Sequence, residues 1–157
     1  MKKILFLAAL SIIFMRCSPL KNTPSSNSNR IQAVEVFGTP KPTSPYSLGV
    51  WAGDNFYLAG QLGTDPISGK MPEGGFKEEV HGVMKNLERI LKSGGLDFSN
   101  VVKTTVYLTD LNDFQTMNEV YKTYFPKGYF PVRETVQVAG LVRGAHIEIS
   151  MVAYKKR

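Results

Sequence analysis

The sequence predicts an α+β domain, with two helices packed on one face of a mainly antiparallel or mixed sheet. Three observations carry this. Residues 76–93 place Val80, Val83, Leu87, Ile90 and Leu91 on one helical stripe. Residues 101–108, VVKTTVYL, are β-branched and alternating. In the last segment Ile147, Ile149, Met151 and Ala153 alternate with His146, Glu148, Ser150 and Val152, which gives a sheet one apolar face for helices to cover. The chain has 157 residues, 43% of them hydrophobic, enough for one ordinary core with a short appendage.

The appendage comes first. Met1-Lys2-Lys3 is a short cationic stretch, and Ile4 to Phe14 is apolar apart from Ser11. Eleven helical residues would span about 16 Å, too little for a bilayer core of roughly 30 Å. Residues 1–17 therefore read as a secretion signal rather than a membrane span, which points to an exported, periplasmic protein. Cys17 follows the apolar run at the place where a bacterial lipoprotein signal carries its lipid-attachment cysteine. Phe14, Met15 and Arg16 depart from the small residues expected before such a cysteine. Lipidation there would tether the protein to a membrane. Residues 18–30, SPLKNTPSSNSNR, cannot bury enough surface to offset chain entropy and read as a flexible tether. The domain is expected over 31–157.

Within it, Val34 to Phe37 can start a strand, and Gly38 to Pro45 holds three prolines and reads as a loop. Val50-Trp51 and Phe56 to Ala59, split by Gly53-Asp54-Asn55, form a hairpin. Asp65 to Gly75 is a second loop with a turn at Ser68-Gly69. Gly94-Gly95 ends the first helix as a glycine cap. After the strand 101–108, Asp110 caps a helix expected from Leu111 to Phe125, with Asp113 favoured in its first turn by the helix dipole. Leu111, Phe114, Asn118, Tyr121 and Phe125 share its stripe, and an amide on an apolar stripe needs a partner or a ligand. Arg133 to Ala139 is a strand, Gly140 to Gly144 a turn, and Ala145 to Tyr154 the last strand.

Charge and motifs narrow the function. The net charge of +6 is misleading, because five of the 19 cations stand in residues 1–30 without an anion. The domain has 14 cations against 13 anions, no footprint for nucleic acid. One cysteine, in the leader, excludes an internal disulfide, a multi-thiolate zinc site and thiol catalysis within the domain. His81 and His146 form no metal-binding pattern, and no phosphate-binding glycine motif or GxSxG occurs, so neither metal nor cofactor is expected. Three residues stand out chemically. Arg133 offers a fork of donors that fits a carboxylate. Glu148 sits mid-strand, where a carboxylate must be paired or used. Asn118 is the amide on the stripe. Their bland alternatives are a surface arginine, a carboxylate paired at a subunit contact and a helix-packing amide.

The segments SPYSLGV (44–50), FYLAGQLGTDPISGKM (56–71), VVKTTVYLTDLNDFQTMNEVYKTYF (101–125), FPVRETVQVAGL (130–141) and HIEISMVAY (146–154) together resemble the RidA/YjgF family over about 120 residues. The resemblance implies a chorismate-mutase-like fold, a homotrimer with ligand clefts between subunits, and cofactor-free hydrolysis of reactive enamines and imines to 2-keto acids and ammonia. It also implies that Arg133 binds the substrate carboxylate and that Glu148 positions or activates water. Tyr46, Gly60 and Asn118 match cleft residues. The chain departs from the family's deaminases at Ala59, where serine is usual, and at Thr135, where cysteine is frequent. Two other functions fit the resemblance: a module that binds small carboxylates without turnover, and a chaperone-like interaction trimer.

Overall fold

A computed structural model describes residues 31–155; the expected secretion signal over 1–17, with Cys17, and the expected tether over 18–30 lie outside the described residues. Six strands and two α-helices follow in the order β1 (Ile31–Val34), β2 (Gly49–Ala52), β3 (Asn55–Gln61), α1 (Phe76–Ser93), β4 (Val101–Leu108), α2 (Phe114–Tyr121), β5 (Val132–Gln137) and β6 (Ile147–Tyr154). They form one sheet of order β1-β2-β3-β6-β4-β5. Only β4 and β5 run parallel; every other neighbouring pair is antiparallel. The sheet is thus mixed, and α2 lies in the crossover between its parallel strands, as such a connection demands.

The expected stripe of α1 is the centre of the core. Val80, Val83, Leu87, Ile90 and Leu91 are all buried, together with Met84. They pack against the odd face of β6 and against Phe56, Leu58, Val106 and Leu108. Removing a large apolar side chain from water contributes about 1.5–3 kcal/mol, so this layer supplies most of the cohesion. The helix ends as its glycines dictate. Leu96 N donates to Leu91 O and Gly95 N to Lys92 O, both at 2.9 Å, with Gly95 at φ +71°. That is a Schellman motif, and a side chain at Gly95 would strain it.

Several boundaries differ from the sequence expectation. The first strand is Ile31–Val34, three residues earlier than Val34–Phe37, and Phe37 is 93% exposed. The second helix is shorter than 111–125. Leu111–Asp113 and Lys122–Tyr124 are tighter 3-10 turns flanking the α-helical Phe114–Tyr121. Three residues per turn shift the phase of the stripe. Leu111 consequently falls on the surface, while Met117 and Val120 enter the core with Tyr121. Asp110 does cap, accepting from Asn112 N at 2.9 Å. Asp113 stands in the first 3-10 turn after that cap, as expected. Burial and the nearby Asp110 hold its carboxyl above the usual range, against a smaller opposing pull from His146, so its charge is disfavoured there. The strand expected over 133–139 is Val132–Gln137, and the last strand begins at Ile147 instead of Ala145.

Candidate functional site

The site residues fall into two groups on opposite faces of the sheet. The first group gathers where β3 meets β6. Pairing between these strands shifts register between Leu58 and Gln61, a bulge that contains Ala59 and Gly60. Gln61 helps to hold it, since its side-chain amide donates to Ala59 O at 3.2 Å and Gly60 O at 3.0 Å. Glu148, the second residue of β6, lies directly over Gly60. A Cβ on Gly60 would run into the Glu148 carboxylate, so glycine lets the carboxylate rest there and any side chain would push it aside. Glu148 makes no hydrogen bond or ion pair among the described residues, which leaves its oxygens free for a ligand. Tyr46, Ala59, Gly60 and Glu148 all line one cavity of about 710 Å³.

Two buried polar residues of α1 fix the backbone on either side of this carboxylate. Asn86 donates to Leu62 O at 2.9 Å and Thr64 O at 2.8 Å, pinning the chain as it leaves β3. Glu79 accepts from His146 N at 2.8 Å, His146 Nδ1 at 2.9 Å and Ile147 N at 3.4 Å, pinning the chain as it enters β6. Gly63 and Gly82 allow the close approach this requires: a Cβ on Gly82 would lie 2.3 Å from Gly63 O. His146 therefore has a structural partner, and His81 has another in Tyr124, 2.8 Å from its Nδ1. Neither Asn86 nor Glu79 was singled out from the sequence. Asn86 could have been, because it stands at i+3 from Val83 and i−4 from Ile90, the same signal that marks Asn118.

The second group lies under α2. Arg133 on β5 pairs in register with Thr104 and sends its guanidinium to the helix-covered face. There it lies 5.0 Å from the Tyr121 ring and 5.6 Å from the Phe114 ring, with Nη1 3.8 Å from Met117 Sδ. Two aromatic faces and a thioether orient the guanidinium without neutralising it. Arg133 makes no ion pair among the described residues. Tyr121 donates from its hydroxyl to Thr104 Oγ1 at 3.0 Å; burial pushes its phenol up, while this bond and Arg133 pull the other way. Arg133, Asn118, Tyr121 and Phe130 line a second cavity of about 380 Å³. Asn118 is half-buried, and its side chain makes no hydrogen bond among the described residues. Thr135, two residues along the same face, has a buried Oγ1 without a partner. Glu134 points the other way and pairs with Lys103 at 3.3 Å, as strand alternation requires.

Within one chain, Arg133 and Glu148 do not meet. They are separated by β4, by three residues along the strands and by the thickness of the sheet, or about 14 Å between backbones. The two groups are separate clusters. One offers a free carboxylate over a glycine, the other a half-buried guanidinium beside an unused amide and hydroxyl.

Comparison with known proteins bears on both clusters. The family model described as Endoribonuclease L-PSP matches residues 38–155. The chain is 51% identical over 122 residues to the mouse 2-iminobutanoate/2-iminopropanoate deaminase, covering 78% of this chain and 90% of the mouse protein. It is equally similar to the human protein of that name, covering 88% of it. Among solved structures it is similar to RidA from an Antarctic Psychrobacter, with a TM-score of 0.73 and 37% identity, covering 79% of this chain and 99% of that one. It is also similar to E. coli TdcF with bound serine, with a TM-score of 0.73 and 33% identity, covering 79% of this chain and 98% of that one.

Proposed function

From the premise that this chain belongs to the RidA/YjgF family, we propose that it is a cofactor-free deaminase, which hydrolyses reactive 2-imino acids and their enamine tautomers to 2-keto acids and ammonia. The observation that carries this is the 51% identity to relatives named 2-iminobutanoate/2-iminopropanoate deaminase, over nearly the whole described domain. The activity follows those relatives and not the broader endoribonuclease description of the family model.

The chemistry suits the two half-sites. An imine carbon is already electrophilic, so the protein need only bind the carboxylate, place a water and move protons. The Arg133 fork binds the substrate carboxylate through two parallel hydrogen bonds, strengthened by the apolar surroundings. Asn118 completes that end. The Glu148 carboxylate takes a proton as water attacks C2 and passes it to the imine nitrogen, giving a carbinolamine. It then takes the hydroxyl proton of that carbinolamine and delivers it to the amine, so that the C–O bond becomes the carbonyl, the C–N bond breaks and ammonia leaves. Tyr46 walls the cleft, and Gly60 leaves room for the substrate beside the carboxylate.

For this the half-sites must come from different copies. We propose a homotrimer in which the Arg133 side of one subunit faces the Glu148 side of its neighbour, since a closed ring makes such a heterologous contact repeat three times. TdcF, with serine bound, is a relative that holds a small amino acid. Ala59 supplies no hydroxyl to the cavity and favours the second reading, a module that binds small carboxylates without turnover. Export to the periplasm, with a lipid tether at Cys17, remains a proposal from sequence, tested by the intact mass of the protein in the membrane fraction. The test of function is competition. An amino-acid oxidase generates short-lived imines, semicarbazide traps them, and the protein is expected to lower the yield of trapped product. Arg133→Ala and Glu148→Gln are expected to abolish that effect. Binding of 2-oxobutanoate with no effect on trapping would replace the deaminase with the binding module.

A further inference from the structure

The cavity beside Glu148 and Asp65 also carries two guanidinium forks that a small neutral-chain imino acid does not use. Arg89 of α1 and Arg143 of the turn before β6 both line it, together with Lys41. Lys41 is satisfied by Glu35 at 2.6 Å. Neither arginine makes an ion pair among the described residues. Asp65, the carboxylate whose charge Arg89 feels, accepts instead from Ile67 N, Ser68 N and Ser68 Oγ of its own turn.

Arg89 is held in place, not loose. The Asn86 amide nitrogen is committed to two backbone carbonyls, so its Oδ1 must face the guanidinium, and Arg89 Nη1 donates to it at 3.0 Å. One donor is used and the rest of the fork is left for a ligand. Arg143 stands in the left-handed region, at φ 59° and ψ 17°, and among the described residues it is the one non-glycine residue that does so. A side chain there costs roughly 1–2 kcal/mol, and such strain collects where a side chain must be aimed. Its Nη1 lies 3.5 Å from Gly69 O, which ties it to the rim of the same cavity.

We infer that Arg89, assisted by Arg143, binds a second, distal carboxylate, so that the preferred substrates are α-imino dicarboxylates. The inference rests on the deaminase reading for turnover, but its binding selectivity does not depend on it. The volume agrees: about 710 Å³ falls in the range of pockets that enclose ligands much larger than a four-carbon imino acid. A guanidinium in such a pocket discriminates against an analogue lacking the matching group, because its donors are then left unpaired.

The test uses the stable keto-acid products and the full-length protein. Calorimetric titration with 2-oxoglutarate and 2-oxobutanoate is expected to show about tenfold tighter binding of the diacid, the worth of one charge-assisted contact. Arg89→Gln should bring the two within about twofold, and Arg143→Gln, at a more exposed position, should reduce the ratio by less. Lys41→Gln removes the same unit of charge from the cavity rim and should keep the preference. Equal binding of both acids by the unaltered protein would overturn the inference, as would an equal loss for both acids in Arg89→Gln. So would a fall in the ratio for Lys41→Gln as large as that for Arg89→Gln, which would assign it to the general field. Failure of the deaminase reading looks different: no imine escapes trapping, while the keto-acid selectivity persists.

Discussion

The two half-sites are built on different principles. Arg133 is held by what it touches: two aromatic rings and a thioether, all on α2, with Tyr121 itself fixed to Thr104. Glu148 is held by its backbone. Asn86 and Glu79 clamp the strands on either side, Gly60 clears the space beneath it, and its own oxygens have no partner among the described residues. A guanidinium stays charged in an apolar setting because it cannot readily lose its proton, so packing can orient it. A carboxylate enclosed in the same way would be driven to its neutral form. Glu148 instead stands in an open, polar cavity, fixed from below, where a ligand or water can reach its oxygens.

The largest effects should come from breaking the chemistry of each half separately. Glu148→Gln keeps the shape and removes the proton acceptor; turnover of 2-iminobutanoate, followed by loss of semicarbazide product, should fall by about 10²–10⁴-fold. Arg133→Lys keeps the charge and loses the fork. The kcat/KM should fall by about 10²-fold, chiefly through a raised KM in steady-state kinetics. Gly60→Ala tests whether backbone alone positions the carboxylate. It should cost about tenfold or more in kcat/KM by displacing Glu148, and because Glu148 is half-exposed and can swing away, the melting temperature should move little.

Smaller effects separate packing from catalysis. Tyr121→Phe keeps the ring under Arg133 but leaves the buried Thr104 hydroxyl without its partner. Denaturant titration should show a loss of about 1–2 kcal/mol, with kcat/KM reduced less than in Arg133→Lys. Asp113 lies near the Glu79–His146 clamp without lining either cavity. Its folded carboxyl titrates above the ordinary 3.8, so the folded state holds that proton more tightly and stability falls as pH rises through the window from 3.8 to the raised value. Asp113→Asn should therefore stabilise at pH 7, by a few tenths of a kcal/mol at this partly exposed site, and make no difference below pH 3.

The two halves were unequally legible in the sequence. The elements that carry them were clear where a period of 2 or 3.6 ran unbroken, as in α1, β4 and β6. The second helix was not, because its 3-10 ends rotate Leu111 outward and bring Met117 beneath Arg133, a phase change that apolar spacing does not encode. Arg133, Glu148 and Asn118 stood out because each is a polar group where packing would not ask for one. Their opposite faces followed from register, and register is fixed by pairing that one strand's pattern cannot specify. Asn86 and Glu79 escaped notice because a helix of mixed charge hides one buried carboxylate among several exposed ones. Arg89 escaped because only the fold brings it to the cavity of Glu148.

The central claim is that the active site is shared between neighbouring copies, and subunit mixing tests it directly. Arg133→Ala and Glu148→Gln chains, each inactive alone, are unfolded, mixed in equal amounts and refolded. If one chain's guanidinium serves its neighbour's carboxylate, about a quarter of the sites in a randomly assembled trimer recover both groups, and about a quarter of wild-type turnover should return. Mixed trimers that form, as shown by native mass spectrometry, yet stay as inactive as their parents would contradict the shared site.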